Sequence, residues 1–164
     1  MARTAKLLLA LCMLAALAGF APRVHAANCT VTSTPVAFGT YSPVSPTPLD
    51  GQGSVIVDCN GNGNQASVSF TLDAGLYGTY ASRAMAQGAD RLYYNLYTDP
   101  GRNTVFANGT SVSCTTGVTN LPCVGSDPSG NTLRATRPIY GRMPTGQDVA
   151  SGNYSDTVTV TITF

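Results

Sequence analysis

The residues that carry most enzyme chemistry are scarce in this chain. It has no tryptophan and no glutamate, and it has a single histidine, His25, and a single lysine, Lys6. Both lie close to the N-terminus. Without a histidine or lysine further along, no serine has a basic side chain that would activate it as a nucleophile. The sequence therefore predicts a protein that is not an enzyme and that uses no cofactor.

Charge is sparse as well, and this excludes other classes of protein. Residues 27–164 contain six arginines and eight aspartates, a formal charge of −2. A surface for nucleic acid or anionic membrane needs clustered positive charge, which this composition does not supply. After the N-terminal segment there is no second long apolar run, so we expect no membrane insertion. We also expect no nucleic-acid partner.

The N-terminal segment is typical of a secretory signal peptide. Basic residues precede an apolar run from Leu7 to Ala18, and Val24-His25-Ala26 fits a small-residue cleavage site. We therefore expect residues 1–26 to be a signal peptide and residues 27–164 to form one domain. Secretion also implies an oxidising compartment, in which cysteines pair.

Four cysteines remain in that domain, and an even number in a secreted chain favours disulfides. They allow three connectivities, of which we favour Cys29–Cys59 together with Cys114–Cys123. A zinc site is the alternative, but the domain has no histidine and no Cys-x-x-Cys pair. We expect two disulfides and no metal site.

The clearest pattern lies at the end of the chain. From Thr157 onward, apolar residues and threonines alternate strictly, and the apolar positions are Val158, Val160, Ile162 and Phe164. Successive side chains of a strand point to opposite faces, so the alternation predicts a β-strand with one apolar face. Valine and threonine also suit a pleated strand because both are β-branched.

Other segments predict further strands, separated by frequent glycine and proline. Cys29–Tyr41 contains Pro35, which favours an edge strand or two short strands. Ser54–Cys59 and Ala66–Leu72 alternate on either side of an Asn/Gly-rich stretch, which predicts a hairpin. Thr79–Gly88 predicts a single helical turn. With strands also at 92–97 and 133–140, the rhythm is typical of an all-β sandwich or barrel.

Two features indicate a binding module as the alternative. In the aromatic strand Tyr93, Tyr94 and Tyr97 are a candidate sugar platform, but alternation places Tyr93 and Tyr97 on one face and Tyr94 on the other, which favours core packing for part of this set. A basic ligand site is a second candidate, although scattered arginines are more often solvated or paired with aspartate. The arginines concerned are Arg83, Arg91, Arg134, Arg137 and Arg142. The alternative function is thus a free-standing carbohydrate-binding β-sandwich.

Stretches along the whole domain resemble a known family, the spore coat protein U domain, which is shared with archaic (Csu-type) chaperone–usher pilins. In chain order the matching stretches are Val36–Tyr41, Ser54–Cys59, Arg83–Met85, Leu92–Asp99, Ile139–Gln147 and Gly152–Phe164. The resemblance implies a disulfide-stapled, immunoglobulin-like β-sandwich that lacks its last strand. Such a domain keeps an open apolar groove beside its C-terminal strand.

The resemblance also implies a function. In this family a periplasmic chaperone fills the groove with one of its strands, and a neighbouring subunit replaces that strand in the fibre. We therefore expect a secreted structural subunit of a cell-surface pilus or coat that acts in adhesion and biofilm formation. Its expected partners are the chaperone, an outer-membrane usher and neighbouring pilin subunits. The expected strand-exchange interface consists of Val158, Val160, Ile162 and Phe164.

The short stretch before the first cysteine adds one further expectation. After cleavage only Ala27 and Asn28 precede Cys29. A donor strand needs several alternating apolar residues, so we expect this chain to accept a strand rather than to donate one. It would then occupy a terminal position, at or near a fibre tip, or be a secreted coat protein that does not polymerise in this way.

Overall fold

A computed structural model of the protein describes residues 28–60, 67–107, 112–115 and 132–163, and these residues form β-strands joined by turns and loops. The strands are β1 Asn28–Ala37, β2 Leu49–Asn60, β3 Ser67–Leu72, β4 Arg83–Gln87, β5 Asp90–Tyr97, β6 Val112–Thr115, β7 Thr132–Met143 and β8 Val160–Thr163. The all-β prediction is confirmed. Within these ranges no helix has the length and apolar character needed to cross a membrane.

Two antiparallel sheets share one apolar core. The larger sheet has the strand order β1-β2-β7-β5-β4, and the smaller has the order β6-β3-β8. Buried side chains from both sheets belong to one cluster, which includes Val55, Val57, Leu92, Leu96 and Ile139 from the larger sheet and Val68, Phe70 and Leu72 from the smaller. The architecture is therefore a β-sandwich.

Side-chain alternation explains how these strands face the core. Along β2, Val55 and Val57 are almost fully buried, whereas the residues between and beside them are only half-buried. β2 pairs along its whole length with β7, from Leu49 opposite Met143 to Asn60 opposite Thr132. A one-residue slip would turn every valine of β2 outward, so burial of this face fixes the register.

Two predictions about local structure are wrong. In the described residues β2 pairs with β1 and β7, whereas β3 pairs with β6 and β8, so these two strands belong to different sheets and form no hairpin. One apolar face per strand fits two facing sheets as well as it fits a hairpin. The segment Thr79–Gly88 contains β4, which pairs with β5, rather than a helical turn.

The N-terminal strand agrees with its prediction, since β1 lies at the edge of the larger sheet. Cys29 is in a disulfide, and Cys59 lies opposite it in the β1–β2 register, as the favoured pairing requires. The pairing itself stays a prediction. Cys123 and the expected signal peptide, residues 1–26, lie outside the described residues, so the Cys114–Cys123 disulfide and the signal peptide also stay predictions.

Candidate functional site

An open groove runs between the two sheets along one side of the sandwich. Its first wall is β1 with the loop that follows, and its second wall is the segment that leads from Val149 into β8. The groove has two chambers, of about 540 and 300 Å³. Val36, Phe38 and Met85 line both chambers, so the chambers meet at these side chains.

The smaller chamber opens directly onto the apolar core. Side chains of the core cluster line it, among them Val55, Leu72, Leu96 and Ile139. Among the described residues of its lining, Asp156 is the one carboxylate, and the remaining side chains are neutral. Water in this part of the groove therefore lies against surface that a folded domain normally covers.

The second wall carries the residues that the terminal alternation singled out. Val158, Val160 and Ile162 are half-buried and pack against the core, whereas the threonines between them are exposed. Val158 and Val160 line the smaller chamber. Phe164 lies outside the described residues. β8 itself begins only at Val160, because β3, its neighbour in the ladder, ends at Leu72.

The backbone of this wall has an unpaired edge. The amide of Asp73 donates to the carbonyl of Thr159 (3.0 Å), so Thr159 turns its carbonyl toward the β3 side. Alternate residues of an antiparallel strand direct their backbone groups to opposite neighbours. Val160 and Ile162 therefore direct theirs away from β3, to an edge where no described strand pairs. This edge can accept a further strand.

The first wall exposes the inner face of β1. Val31 lies opposite Val57 in the register, and directly paired residues of antiparallel strands point to the same face. Val57 is fully buried, yet Val31 is 50% exposed. Ser33 is exposed too, although its partner Val55 is buried. The sandwich is thus open where another strand would cover β1.

Contacts with the larger sheet hold the second wall in place. Ser155 exchanges backbone hydrogen bonds with Ala86 of β4, at 2.9 and 3.2 Å. The Tyr94 hydroxyl donates to Asp156 Oδ2 (2.7 Å), and the Leu76 amide donates to Oδ1 of the same carboxylate (2.9 Å). Burial and the Asp156 carboxylate both raise the pKa of Tyr94. Its hydroxyl therefore keeps the proton that this bond needs.

Asp73 ties the same segment to the smaller sheet. Its Oδ1 accepts hydrogen bonds from the amides of Thr159 and Gly75, both at 2.9 Å. Burial alone would raise the pKa of Asp73, but these hydrogen bonds and the positive charge of Arg83 hold it below its ordinary value. The ionised carboxylate is therefore the form that stabilises the wall.

We predict that Asp73→Asn makes the domain less sensitive to acid. Because the folded-state pKa is depressed, the stabilisation is fully present above the unfolded-state pKa of about 3.9 and is lost as the pH falls through the folded-state pKa. Melting temperatures measured from neutral pH to below about pH 3 should fall less steeply in this variant than in the wild type. Asp148→Asn, at an exposed position, is the control. Equal slopes for wild type and Asp73→Asn would contradict the prediction.

The candidate arginines do not form one basic site among the described side chains. Arg83 and Arg137 are buried, at 0% and 1% exposure. Arg142 forms a bidentate ion pair with Asp50, at 2.7 and 2.9 Å. Arg91 lies over a tyrosine ring, 4.9 Å from its centre. Two of the arginines thus serve the core rather than a ligand.

The tyrosine strand presents one well-exposed ring. Tyr94 is buried and Tyr93 is 48% exposed, as the alternation predicted, and Tyr97 is half-buried. The Gln147 side chain accepts from the Tyr93 amide (2.6 Å) and donates to its carbonyl (2.9 Å). A sugar-binding platform needs several exposed aromatic rings side by side, and this strand has one well-exposed ring. The structure therefore gives little support to the carbohydrate-binding alternative.

Sequence reasoning did not identify the first wall. Val31, Val36 and Phe38 were not singled out, because no strict alternation marks them. Pro35 was the available signal: proline in a strand favours an edge or a bulge, and the β1–β2 register does shift between Thr34 and Ala37.

Comparison with known proteins agrees with this architecture. Residues 17–161 match the family model of the Spore Coat Protein U domain. The chain is similar to Protein U of Myxococcus xanthus, with 36% identity over 140 residues that cover 77% of this chain and 70% of that protein.

Among solved structures the chain is similar to a chain in the CsuC–CsuE chaperone–tip adhesion subunit pre-assembly complex from the archaic chaperone–usher Csu pili of Acinetobacter baumannii. The TM-score is 0.51 and the identity is 20%. The match covers 85% of this chain but only 40% of that chain, and at this identity it shows a shared fold.

Proposed function

The chain belongs to the Spore Coat Protein U domain family, and on this premise we propose that it is a structural subunit of a cell-surface pilus or coat that is completed by a strand from another polypeptide. The open groove carries the proposal. Its walls are the inner face of β1 and the half-buried valines that lead into β8, and a strand placed between them would cover both.

The groove suits an extended segment better than a compact ligand. It is bounded by strand backbone, and the β8 edge directs unpaired amides and carbonyls toward it. Main-chain hydrogen bonds along that edge would supply affinity, and alternate apolar side chains would fill the chambers. The two walls also run in opposite chain directions: passing from the larger chamber to the smaller, residue numbers fall along the β1 wall and rise along the other.

The fold match supports specific partners. The similar solved structure is a complex between a chaperone and a tip adhesion subunit of a chaperone–usher pilus. For this chain we propose a periplasmic chaperone as the first occupant of the groove, an outer-membrane usher as the exporter and a neighbouring subunit as the final occupant. The role is non-catalytic, at the bacterial cell surface after secretion through the periplasm, and it contributes to adhesion and biofilm formation. The strand-exchange interface is Val158, Val160 and Ile162, with Phe164 as its sequence continuation.

A strand supplied in the same chain tests the proposal. The test variant carries, after Phe164, a short Asn-Gly turn and ten residues of alternating threonine and valine, so that the added segment can fold back along β8. The tether makes insertion intramolecular and raises the effective concentration of the segment. Burial of a single valine stabilises a domain by ~2 kcal/mol. A net increase of this size in the free energy of unfolding raises the melting temperature by roughly 5–10 °C in a domain of this length.

The control carries an appended segment of the same length in which every valine is replaced by serine. This segment can pair through its backbone but cannot fill the chambers. The proposal requires a rise in melting temperature with the valine segment and a much smaller rise with the serine segment. If the domain without an appended segment is already a highly stable monomer, and neither segment raises its melting temperature, the groove is not a strand acceptor.

A further inference from the structure

Three glycines form a floor beneath Val36 and Phe38, the side chains at which the two chambers of the groove meet. Gly51 of β2 lies opposite Gly141 of β7, and Gly53 follows two residues along β2 on the same face. All three are buried. Further along the same inner face, β2 and β7 carry Val55 and Ile139. The glycines therefore leave a depression in a surface that otherwise carries bulky side chains.

Val36 and Phe38 occupy this depression. A Cβ atom on Gly141 would lie 2.5 Å from Phe38 Cζ and 2.8 Å from Val36 Cγ1. On Gly51 it would lie 3.0 Å from Phe38 Cδ1 and 3.1 Å from Val36 Cγ1. Phe38 is only 8% exposed, and its ring meets that of Tyr94 edge-on, with 5.7 Å between centres. The two side chains rest against bare backbone.

Gly53 lies directly beneath the backbone of the first wall. A Cβ atom here would lie 2.6 Å from the Thr34 carbonyl oxygen and 2.8 Å from the Val36 amide nitrogen. These atoms belong to the β-bulge of β1, and they cannot move as freely as the end of a side chain. The bulge that turns Val36 inward therefore needs glycine beneath it.

Val36 and Phe38 also border both chambers of the groove. Their height above the sheet therefore sets the depth of the groove at its midpoint. A methyl group beneath them would lift them into the space that an inserted strand requires, because a packed side chain cannot approach a new carbon atom so closely.

We infer that Gly51, Gly53 and Gly141 are positioning residues for strand acceptance: they recess Val36 and Phe38 and so keep the groove deep enough for another polypeptide strand at its midpoint. The inference rests on the proposed function, since groove depth matters only if a strand enters. The occupant is an extended segment with alternating apolar residues, and the glycines do not need to touch it.

The test measures how far the appended valine segment raises the melting temperature in each variant. Every variant is made with and without the segment, so that any direct loss of stability cancels in the difference. Gly141→Ala is expected to lose more than half of the rise seen in the wild type. Gly101→Ala is the matched control, because Gly101 is exposed and a Cβ atom there meets mainly the side chain of Asn103. It should keep the full rise.

A second substitution identifies the side chain responsible. Leucine lacks the ring atoms Cε1 and Cζ of Phe38 that the new methyl group would strike. Adding Phe38→Leu to Gly141→Ala is therefore expected to restore part of the lost rise, because the two Phe38 contacts are removed while Val36 Cγ1 stays 2.8 Å from the new carbon. Phe38→Trp enlarges the same side chain over an unchanged glycine floor, and it is expected to reduce the rise as Gly141→Ala does.

The outcomes separate the inference from the function. A full rise in Gly141→Ala overturns the inference, and so does a failure of Phe38→Leu to restore the rise. If Gly141→Ala does not fold, Phe38→Trp decides, and a full rise in that variant overturns the inference. If the wild type shows no rise at all, the proposed function fails, and the inference fails with it.

Discussion

Val160→Asp is expected to weaken binding of the proposed periplasmic chaperone by at least ~100-fold. Val160 lines the smaller chamber and packs against the core. An aspartate there would have to be buried without a cationic partner when a strand covers the groove, at a cost of ~3 kcal/mol or more, and this corresponds to roughly a hundredfold change in affinity. Recovery of the complex after co-expression in the periplasm, followed by titration of the refolded subunit, measures the effect.

The alternation of the wall supplies a matched control in the next residue. Thr161 is exposed on the opposite side of the strand, so Thr161→Asp adds the same charge without placing it in the groove. It should retain chaperone binding within a few-fold. Val160→Thr keeps the shape of the side chain and should give an intermediate loss. Equal losses for Val160→Asp and Thr161→Asp would show that the apolar face is not the binding face.

Arg83→Met is expected to have the largest effect on stability. The guanidinium is fully buried and donates to the carbonyl oxygens of Asp73 and Phe106, both at 2.7 Å, and to Asn95 Oδ1 at 2.7 Å. Burial lowers the pKa of Arg83, although an arginine remains charged in proteins. Methionine fills similar volume but donates no hydrogen bond, so the Asp73 and Phe106 carbonyls lose the donor that Arg83 supplies, and Asn95 Oδ1 keeps the Leu96 amide as its donor. We expect a loss of about 3–5 kcal/mol.

Urea unfolding of the domain measures that loss, and Arg91→Met is its control. Arg83 and Arg91 each lie over a tyrosine ring, but Arg91 is half-exposed and its guanidinium donates to backbone carbonyls of an exposed turn. Its replacement should change the free energy of unfolding by no more than about 0.5 kcal/mol. A loss below about 1 kcal/mol for Arg83→Met would mean that water or other groups satisfy the acceptors.

The buried face of the terminal strand could be predicted because the alternation of side chains depends only on residues that are adjacent in the sequence. Strict alternation over Val158, Val160 and Ile162 fixes which side chains share a face, whatever the strand pairs with. The structure agrees, since these residues are half-buried and the threonines are exposed. The same rule placed Tyr93 and Tyr94 on opposite faces, and of these two Tyr94 is the buried one. The buried face was thus predictable, and the family resemblance supplied the open groove beside it.

Strand pairing was less predictable, because it is not a local property. Ser54–Cys59 and Ala66–Leu72 have the right alternation and spacing for a hairpin, yet they belong to facing sheets. The core decides between the two arrangements, since Val55 and Val57 of one sheet and Val68 and Phe70 of the other belong to the same buried cluster. Nothing in either segment alone distinguishes a partner beside a strand from a partner across the core.

The buried arginines show a second limit. In the sequence Arg83 and Arg137 look like ordinary surface cations, but the fold places each beside backbone carbonyls that need donors. Those carbonyls come from segments distant in the chain, Thr98 in the case of Arg137. Only the assembled sandwich brings donor and acceptor together, so composition and spacing carry no signal of the pairing.

The second wall of the groove, which leads from Val149 into β8, also affects how the domain resists a pulling force. It is bonded to the larger sheet through Ser155 and Asp156 and to the smaller sheet through Thr159. A pull on the C-terminal end of β8 therefore loads both sheets at once, and it acts along the strand, so the β3–β8 hydrogen bonds resist in shear rather than opening one by one. A strand inserted in the groove beside β8 would transmit tension to this same wall. The hydrogen bonds from the wall to both sheets would then resist that tension.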